Sequence, residues 1–488
     1  MDPKLVVSQL GANAEALAIT SIVLGGATGP PVVSSMSVTS VQGHTRDITA
    51  PNSKGHHGRP GIGIETIQGV ETREPLTPNL PGESETFTGS LPTPVNINSL
   101  ERVLVDHPDR LFVLRLCNSL RYGADIGYKG PRVPRFSRNL PTALDQPNVV
   151  TAHLIKEVAL GRVAGPFPTS PFPNFQVSPI GLVPKKHSNK FRTIFHLSFP
   201  KSGVTSINYS ISKEDYSLHY ITIDNAIEGI LRLGQGSFLA KTDIESAFRL
   251  IPLRPSDYEL FGMYWQGSYY YDKVLPFGLR SAPYLFNQLS EAIEWILLTK
   301  CSISFVCHIL DDFFIIEPAS ESLSPSEGCK QSLSSMLLTL RNLCIPTAAE
   351  KTQGPCTCLE FMGIILDSVR MEARLPHDKV ERILTSLDNF KSKKSCTLRE
   401  LQALIGTLNF ACRVVPPGRP FLQRMIELTR KVSQPHHHIK LSSGFFKDLD
   451  MWQEFVSGWN GASFFLTTSW VNSDSLQLFT DSSGSIGF

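Results

Sequence analysis

The stretch SISFVCHILDDFFIIEP, residues 302–318, decides how this chain is expected to fold. It is an apolar run of strand-forming residues that is interrupted once, by the adjacent carboxylates Asp311 and Asp312. Strand-forming residues on both sides of a short polar pair predict a tight β-hairpin with the two acids at its tip. Aspartate is also an ordinary turn residue, so the pair gains meaning only from the segments around it.

A third carboxylate follows a predicted strand further upstream. In GSFLAKTDIESAFRLIP, residues 236–252, a strand ends at Asp243 and the chain then turns towards a helix. A carboxylate at a strand end is where many sheets place their chemistry, although Asp243 could equally cap the following turn. Phe248, five residues on, is expected either in the wall of the same pocket or in the core.

A basic hairpin is predicted in PIGLVPKKHSNKFRTIFHLSF, residues 179–199. Its tip would carry Lys185, Lys190 and Arg192, which could together meet a triphosphate. Arginine offers a planar, bidentate clamp for phosphate oxygens, and lysine offers a point charge. An ordinary exposed hairpin would show the same residues, so the segment is open to both interpretations.

Three later segments complete the pattern. VLPFGLRSAPYLFNQLSEAIEWILL, residues 274–298, places Gly278 in a loop that would let backbone approach a base pair, and then predicts a helix that packs under a sheet. Lys351 follows in a short segment, and LEFMGIIL, residues 359–366, predicts one strand interrupted by Gly363. From residue 377 onward, apolar periodicity predicts a series of helices.

The charge distribution also suits a polyanion, although the total charge does not. The chain has 46 basic and 44 acidic residues, but residues 158–213 contain no acid and residues 411–440 contain only Glu427. Two basic stretches around an acidic centre are typical of a nucleic acid held over a metal site, while two solvated faces would give the same pattern.

Cysteine usage and hydropathy indicate the setting. The nine cysteines are an odd number without disulfide-scaffold or zinc-site spacing, which predicts reduced thiols in an intracellular protein, cytoplasmic or nuclear. The longest apolar run near the N-terminus is shorter than the ~20 residues of a membrane span, so no membrane partner is expected. Residues 1–95 are rich in Gly, Pro, Ser and Thr with Phe87 as the single aromatic, which predicts disorder. Folded structure is expected to begin with helices that place Leu100, Leu104, Leu111 and Leu114 at helical spacing.

Taken in order, KTDIESAF, LPFGLRSAP, LDDFF, a lysine-bearing segment and FMGIIL resemble the motifs of a retroelement reverse transcriptase. HLSFPKSG, LQALIGTLNFACRVV and FTDSSGSIGF are similar to the tyrosine-recombinase (DIRS-type) retrotransposons in particular. The resemblance implies an α+β, right-hand polymerase fold. Its expected parts are a disordered segment (1–95), a helical extension (96–175), fingers and a palm with an antiparallel sheet (176–366), a helical thumb and connection (367–472) and the start of a ribonuclease H-like domain (473–488).

The same resemblance implies an RNA-directed DNA polymerase that adds dNTPs to the 3′ end of a DNA primer on an RNA template. Two Mg²⁺ ions, or Mn²⁺ in their place, would be held by Asp243, Asp311 and Asp312 together with the carbonyl group of Ile244. Further roles implied by the resemblance are triphosphate binding by Lys185, Lys190 and Arg192, contact with the substrates by Phe248, Phe277 and Gly278, and protonation of pyrophosphate by Lys351.

Three alternatives remain at this point. An RNA-directed RNA polymerase would share the acids, but the Phe248 ring would collide with a ribose 2′-hydroxyl group. A decayed relic that only binds nucleic acid is disfavoured by the three intact aspartates. In a ribonuclease H, Asp481 would be the first metal-binding acid, but no other carboxylate follows it in this chain, and hydrolysis needs several acids. We therefore expect no ribonuclease H activity from the chain as given.

Overall fold

The computed structural model describes residues 91–184, 191–200, 206–320, 324–430, 432–459 and 462–465. The segment 1–90, the basic turn with Lys185 and Lys190, and Asp481 lie outside these ranges. Leu91 and Val95 are buried, so the last residues of the segment predicted to be disordered belong to the folded part of the chain.

The α-helices in the described ranges lie mainly at the two ends of the folded part. They are α1 (Ile97–Val103), α2 (Arg110–Tyr122), α3 (Pro141–Leu144), α4 (Pro147–Ala159), α5 (Ile223–Leu233), α6 (Ala282–Thr299), α7 (Glu327–Asn342), α8 (His377–Lys391), α9 (Leu398–Ala411), α10 (Gln423–Arg430) and α11 (Ser443–Trp459).

The strands lie mostly between α2 and α8. They are β1 (Arg135–Phe136), β2 (Val163–Phe167), β3 (Gln176–Val177), β4 (Ile180–Pro184), β5 (Phe191–Phe195), β6 (Phe238–Asp243), β7 (Gly262–Trp265), β8 (Ser268–Asp272), β9 (Phe305–Ile309), β10 (Asp312–Glu317), β11 (Gln353–Cys356), β12 (Cys358–Phe361), β13 (Ile364–Asp367), β14 (Glu372–Arg374), β15 (Ser395–Thr397), β16 (His438–Lys440) and β17 (Ala462–Phe464).

The central sheet is antiparallel, with the strand order β11-β6-β10-β9. Successive side chains of a strand point to opposite faces, and both faces of β10 are buried. Phe313 and Ile315 pack into a core that includes α6, whereas Phe314 and Ile316 pack into a second core formed with α8 and α9. The continuous apolar run after Asp312 is thus explained, because this strand is covered on both sides.

Helix α6 supports the central sheet from below, as its apolar spacing predicted. Phe286, Leu289, Ile293 and Ile296 are buried in the same core as Phe313. No helix in the described ranges combines the length and the apolar character that crossing a membrane would require.

The predicted basic hairpin is present as the antiparallel pair β4–β5, in which Val183 lies opposite Arg192. Beside it, a five-stranded sheet has the order β1-β3-β7-β8-β2. In front of both, α2 differs from the prediction, because Leu111 and Leu114 are exposed and the helix instead buries Val113 and Leu116. The buried face of α2 therefore lies to one side of the face that the leucine spacing suggested.

LEFMGIIL forms two strands, so the prediction of one interrupted strand was wrong. β12 and β13 pair as an antiparallel hairpin with Phe361 opposite Ile364. Met362 and Gly363 between them have φ values of 50° and 77°, a left-handed conformation that reverses the chain. β12 and β13 belong to the sheet β12-β13-β14-β17, and the predicted helices α8, α9 and α10 follow in the chain.

Candidate active site

The structure brings the three aspartates to one end of the central sheet. Asp312 lies opposite Asp243 in the β10–β6 register, and Asp311 lies in the turn between β9 and β10. The amide of Ile244 donates to the carbonyl oxygen of Asp311 over 2.8 Å. The predicted hairpin with acids at its tip is confirmed, and β6 is its neighbour.

Helix α6 holds the turn from below. Leu310 has a φ of 55°, a conformation that is unfavourable for a residue with a branched side chain. The hydroxyl group of Ser290, which is fully buried, donates to the Leu310 carbonyl oxygen over 2.9 Å. This hydrogen bond gives the turn a fixed partner in the core.

The carboxylates lie close enough to influence one another. Burial raises the pKa of Asp312 to about 6, the charge of Lys241 opposes the rise, and the charges of Asp243 and Asp311 add to it. Burial also raises the pKa of Asp311, a hydrogen bond from backbone lowers it, and the charge of Asp243 raises it. The strand end is therefore a place where negative charge is costly.

Lys351 is the cation closest to this charge by hydrogen bonding. Its Nζ donates to Oδ1 of Asp243 over 2.8 Å. Partial burial lowers the pKa of Lys351, but the hydrogen bond to Asp243 and the three carboxylate charges outweigh burial and raise it. The segment that carries Lys351 is tied to the end of β6, because the Ala348 amide donates to the Asp243 carbonyl oxygen over 2.9 Å.

The donor set suits a hard divalent cation, although the side chains do not converge on one point. Among the residues that the structure describes, no group of three His, Cys, Asp or Glu side chains is placed to hold a metal ion. Carboxylate oxygens are the ligands that Mg²⁺ prefers, and a bound cation would offset the cost of the charges at Asp311 and Asp312. In the arrangement observed, the ammonium group of Lys351 neutralises Asp243.

The predicted substrate residues are placed in part. Arg192 is exposed on β5, and its positive charge lowers the pKa of Asp311, so the basic hairpin faces the carboxylates. Phe248 lies between an exposed ring and a core ring, with centroid distances of 5.3 Å to Phe277 and 5.9 Å to Phe286. It is partly buried, which fits both a pocket wall and a core edge.

Gly278 is required by the fold of its own loop. Its φ is 100°, and a Cβ atom there would lie 2.9 Å from the carbonyl oxygen of Phe195. An L-residue is strained in this conformation. The close approach seen in the structure is thus to backbone of the chain itself.

Lys241 is a site residue that sequence reasoning missed. It lies two residues before Asp243 and therefore on the same face of β6. Its charge lowers the pKa of Asp312, and its Nζ donates to the carbonyl oxygen of Glu360 over 2.6 Å. The alternation in KTD contained this information, and Lys241 links the acids to the β12–β13 hairpin.

Comparison with known proteins agrees with this geometry. Residues 183–366 match the family model described as reverse transcriptase (RNA-dependent DNA polymerase), so the chain contains a reverse transcriptase domain. The Gag-Pro-Pol polyprotein of human T-cell leukemia virus 2 is 24% identical over 321 residues, which cover 64% of this chain and 19% of the polyprotein. The Pro-Pol polyprotein of simian foamy virus type 1 is 26% identical over 182 residues, covering 37% of this chain and 14% of that protein. The chain thus spans a fifth or less of these curated relatives.

A solved structure supports the fold. The foamy viral protease-reverse transcriptase dRH in complex with double-stranded DNA aligns with a TM-score of 0.50 and 18% identity, covering 78% of this chain and 62% of that one. The predicted α+β polymerase fold is confirmed. On this basis, we call the central sheet the palm and the β4–β5 hairpin with the five-stranded sheet the fingers.

Proposed function

We propose that the chain is an RNA-directed DNA polymerase that extends a DNA primer on an RNA template with dNTPs. The observation that carries this proposal is the placement of Asp243, Asp311 and Asp312 at one end of the palm sheet. Nucleotidyl transfer needs negatively charged groups that can fix divalent cations beside the reacting oxygens, and this strand end supplies three carboxylates.

The chain's own residues would have the following tasks. Asp243, Asp311 and Asp312, with the Ile244 carbonyl group, would hold two Mg²⁺ ions, which when bound polarise the attacking and leaving oxygens. Arg192, with Lys185 and Lys190 from the same hairpin, would bind the triphosphate. Lys351, whose Nζ lies 2.8 Å from Asp243 Oδ1, would give a proton to the departing pyrophosphate.

Selection of deoxyribonucleotides is part of the proposal. The Phe248 ring packs against Phe277, which is 39% exposed, so it lies at the boundary between core and surface. A ring at the sugar position would exclude a 2′-hydroxyl group by its volume. This argument favours a DNA polymerase over an RNA polymerase.

A retrotransposon origin, of the tyrosine-recombinase (DIRS) type, is the finer part of the proposal. It is supported by the sequence segments HLSFPKSG, LQALIGTLNFACRVV and FTDSSGSIGF. An intracellular location agrees with the nine free cysteines, none of which is paired in a disulfide within the described ranges.

Primer extension tests the function. The purified chain, a DNA primer annealed to an RNA template, dNTPs and Mg²⁺ should give extended products, and chelation of the metal should abolish them. Asp311→Asn keeps the shape of the side chain but removes its charge, so the extension rate should fall by about 100-fold or more. Asp378→Asn, an exposed acid at the start of α8, is the matched control. Equal rates for wild type and Asp311→Asn would refute the assignment of the site.

A further inference from the structure

The side chain of Asn208 joins two segments that are distant in the sequence. It lies in the 3₁₀-helix Ile207–Ser210 and is 6% exposed. Its Nδ2 donates to the carbonyl oxygen of Gly278 and to Oγ of Ser198, both over 2.8 Å. Its Oδ1 accepts from the amide of Arg280 over 2.8 Å. One amide group thus uses its donor and acceptor sides on both flanks of the Gly278 loop.

Further contacts fix the same loop against the fingers. The Arg280 guanidinium donates to the Ile211 carbonyl oxygen over 2.7 Å, and the Asn208 amide donates to the Leu197 carbonyl oxygen over 3.1 Å. Gly278 itself approaches the Phe195 carbonyl group so closely that a Cβ has no room. The loop is therefore tied to the residues that directly follow β5, the strand that carries Arg192.

The consequence of this anchoring appears at Phe277, the residue before Gly278. Phe277 is 39% exposed, and its ring packs at 5.3 Å on Phe248. An exposed ring has few core contacts to fix it, so its position depends on the backbone that carries it. Asn208 holds that backbone, although it does not itself contact either ring in the structure.

We propose that Asn208 is a positioning residue that sets the place of Phe277 against Phe248, and through them the affinity for the incoming nucleotide and the selection of its sugar. This inference rests on the proposed polymerase function. A buried amide without its partners leaves polar groups unsatisfied on both sides, so the loop would relax towards solvent and Phe248 would lose the ring that packs on it.

The chain offers a matched control in Asn139. Its Nδ2 donates to the Tyr264 carbonyl oxygen over 2.8 Å, and its Oδ1 accepts from the Ile180 amide over 2.9 Å. Asn139 thus bridges two segments with the same chemistry, but within the fingers and without contact to the Phe277 loop. A general loss of stability should be similar for Asn139→Ala and Asn208→Ala.

Hydrogen exchange gives a readout that does not depend on activity. In Asn208→Ala, the Arg280 amide loses its acceptor, so peptides that cover residues 276–282 should exchange faster than in wild type and in Asn139→Ala. Unchanged exchange in these peptides would show that the loop does not depend on Asn208 and would overturn the inference.

Steady-state kinetics on a primed RNA template completes the test. For Asn208→Ala, we expect the KM for dNTP to rise about tenfold with a smaller change in kcat, and the ratio of ribonucleotide to deoxyribonucleotide incorporation to rise about tenfold. Asn139→Ala should leave both quantities near wild type. If the two variants differ from wild type only in melting temperature, Asn208 is a purely structural residue and the inference is wrong.

A second variant protects the test against misfolding. Asn208→Asp keeps the shape and the acceptor for Arg280 but loses the donor to Gly278, so KM and the incorporation ratio should still rise while the Arg280 amide stays protected. Wild-type values of both quantities in this variant would contradict the inference. A wild-type chain that incorporates no dNTP overturns the proposed function as well, whereas an active wild type with unchanged Asn208 variants overturns this inference alone.

Discussion

Asp312 lies directly opposite Asp243 in the antiparallel register of β10 and β6. Side chains that are opposite each other on neighbouring strands lie on the same face of a sheet, so the register brings together two acids that are far apart in the chain. A shift of the pairing by one residue would turn one of them to the other face. The apolar residues Phe313 to Ile316 prevent such a shift, because they are buried in two different cores.

Phe248→Val should relax sugar selection. The smaller side chain leaves space beside Phe277, where the 2′-hydroxyl group of a ribonucleotide could fit, so the ratio of ribonucleotide to deoxyribonucleotide incorporation should rise by about tenfold or more. Incorporation of each nucleotide into a primed RNA template measures this ratio. Phe175→Val, which shortens a buried ring of the fingers, should not change it. An unchanged ratio in Phe248→Val would mean that the ring serves only the core.

Lys351→Met should impair chemistry more than folding. The ion pair with Asp243 is 56% exposed on the lysine side, and exposed ion pairs contribute about 1 kcal/mol or less, so the free energy of unfolding should change little. A lost general acid costs about 100-fold or more in kcat. Single-nucleotide incorporation under rapid-mixing conditions measures the rate.

Lys351→Arg separates the two roles of the residue. Arginine keeps the positive charge near Asp243 but does not release a proton at neutral pH. We therefore expect Lys351→Arg to remain slow. Recovery of the wild-type rate in this variant would show that the charge alone matters and that proton transfer by Lys351 is not required.

The basic stretch around α10 should contribute to the salt dependence of binding. Arg413 and Arg430 are exposed, and each phosphate contact that is lost reduces the slope of log K against log salt by about 0.9 for duplex. Arg413→Glu with Arg430→Glu should therefore flatten the slope for a primed template, measured by fluorescence anisotropy. Lys330→Glu on α7 is the control. A slope equal to that of wild type would assign this region to other contacts.

Arg424, although it belongs to the same stretch, is a poor probe of phosphate binding. Its Nε lies 3.2 Å from Oδ2 of Asp448, whose side chain is 1% exposed. Charge reversal at Arg424 would leave a buried carboxylate beside another negative charge, so it would destabilise the helices whether or not they contact nucleic acid.

Arg249→Leu should destabilise the folded chain. The guanidinium of Arg249 is 5% exposed and lies 2.9 Å from Glu157 Oε2 and 2.6 Å from Asp272 Oδ1. Removing one partner from a buried ionic group leaves uncompensated charge and costs about 3–5 kcal/mol. Urea unfolding measures this cost. Arg254→Leu, which breaks an exposed pair with Asp125, should cost about 1 kcal/mol or less.

The cost of Arg249→Leu should also depend on pH. Burial raises the pKa of Asp272, and the charge of Arg249 opposes that rise. Without the arginine, the pKa of Asp272 in the folded state should rise further above its value in the unfolded chain. The folded state then binds a proton more readily, so stability should increase as pH falls. We expect a smaller loss at about pH 5 than at about pH 8, and the opposite trend would contradict this assignment of charges.

The sequence by itself determined the local parts of the site. The apolar run around Asp311 and Asp312 specified the hairpin, and the spacing after Gly278 specified α6, because strand alternation and helical periodicity are set by hydrogen bonds between residues close in the chain. Where the local conformation departs from such a pattern, the prediction failed. Met362 and Gly363 adopt positive φ values, and LEFMGIIL became a hairpin instead of one strand.

The tertiary structure alone decided which segments meet. The pairing of β6 with β10, the contact of Lys351 with Asp243, and the hydrogen bonds of Asn208 to Gly278 and Arg280 all join distant parts of the chain. Such contacts depend on how two faces of one sheet are buried at the same time, and no periodicity in a single segment encodes that packing. The acids could therefore be read from the sequence, while the residues that hold them and their neighbours in place could not.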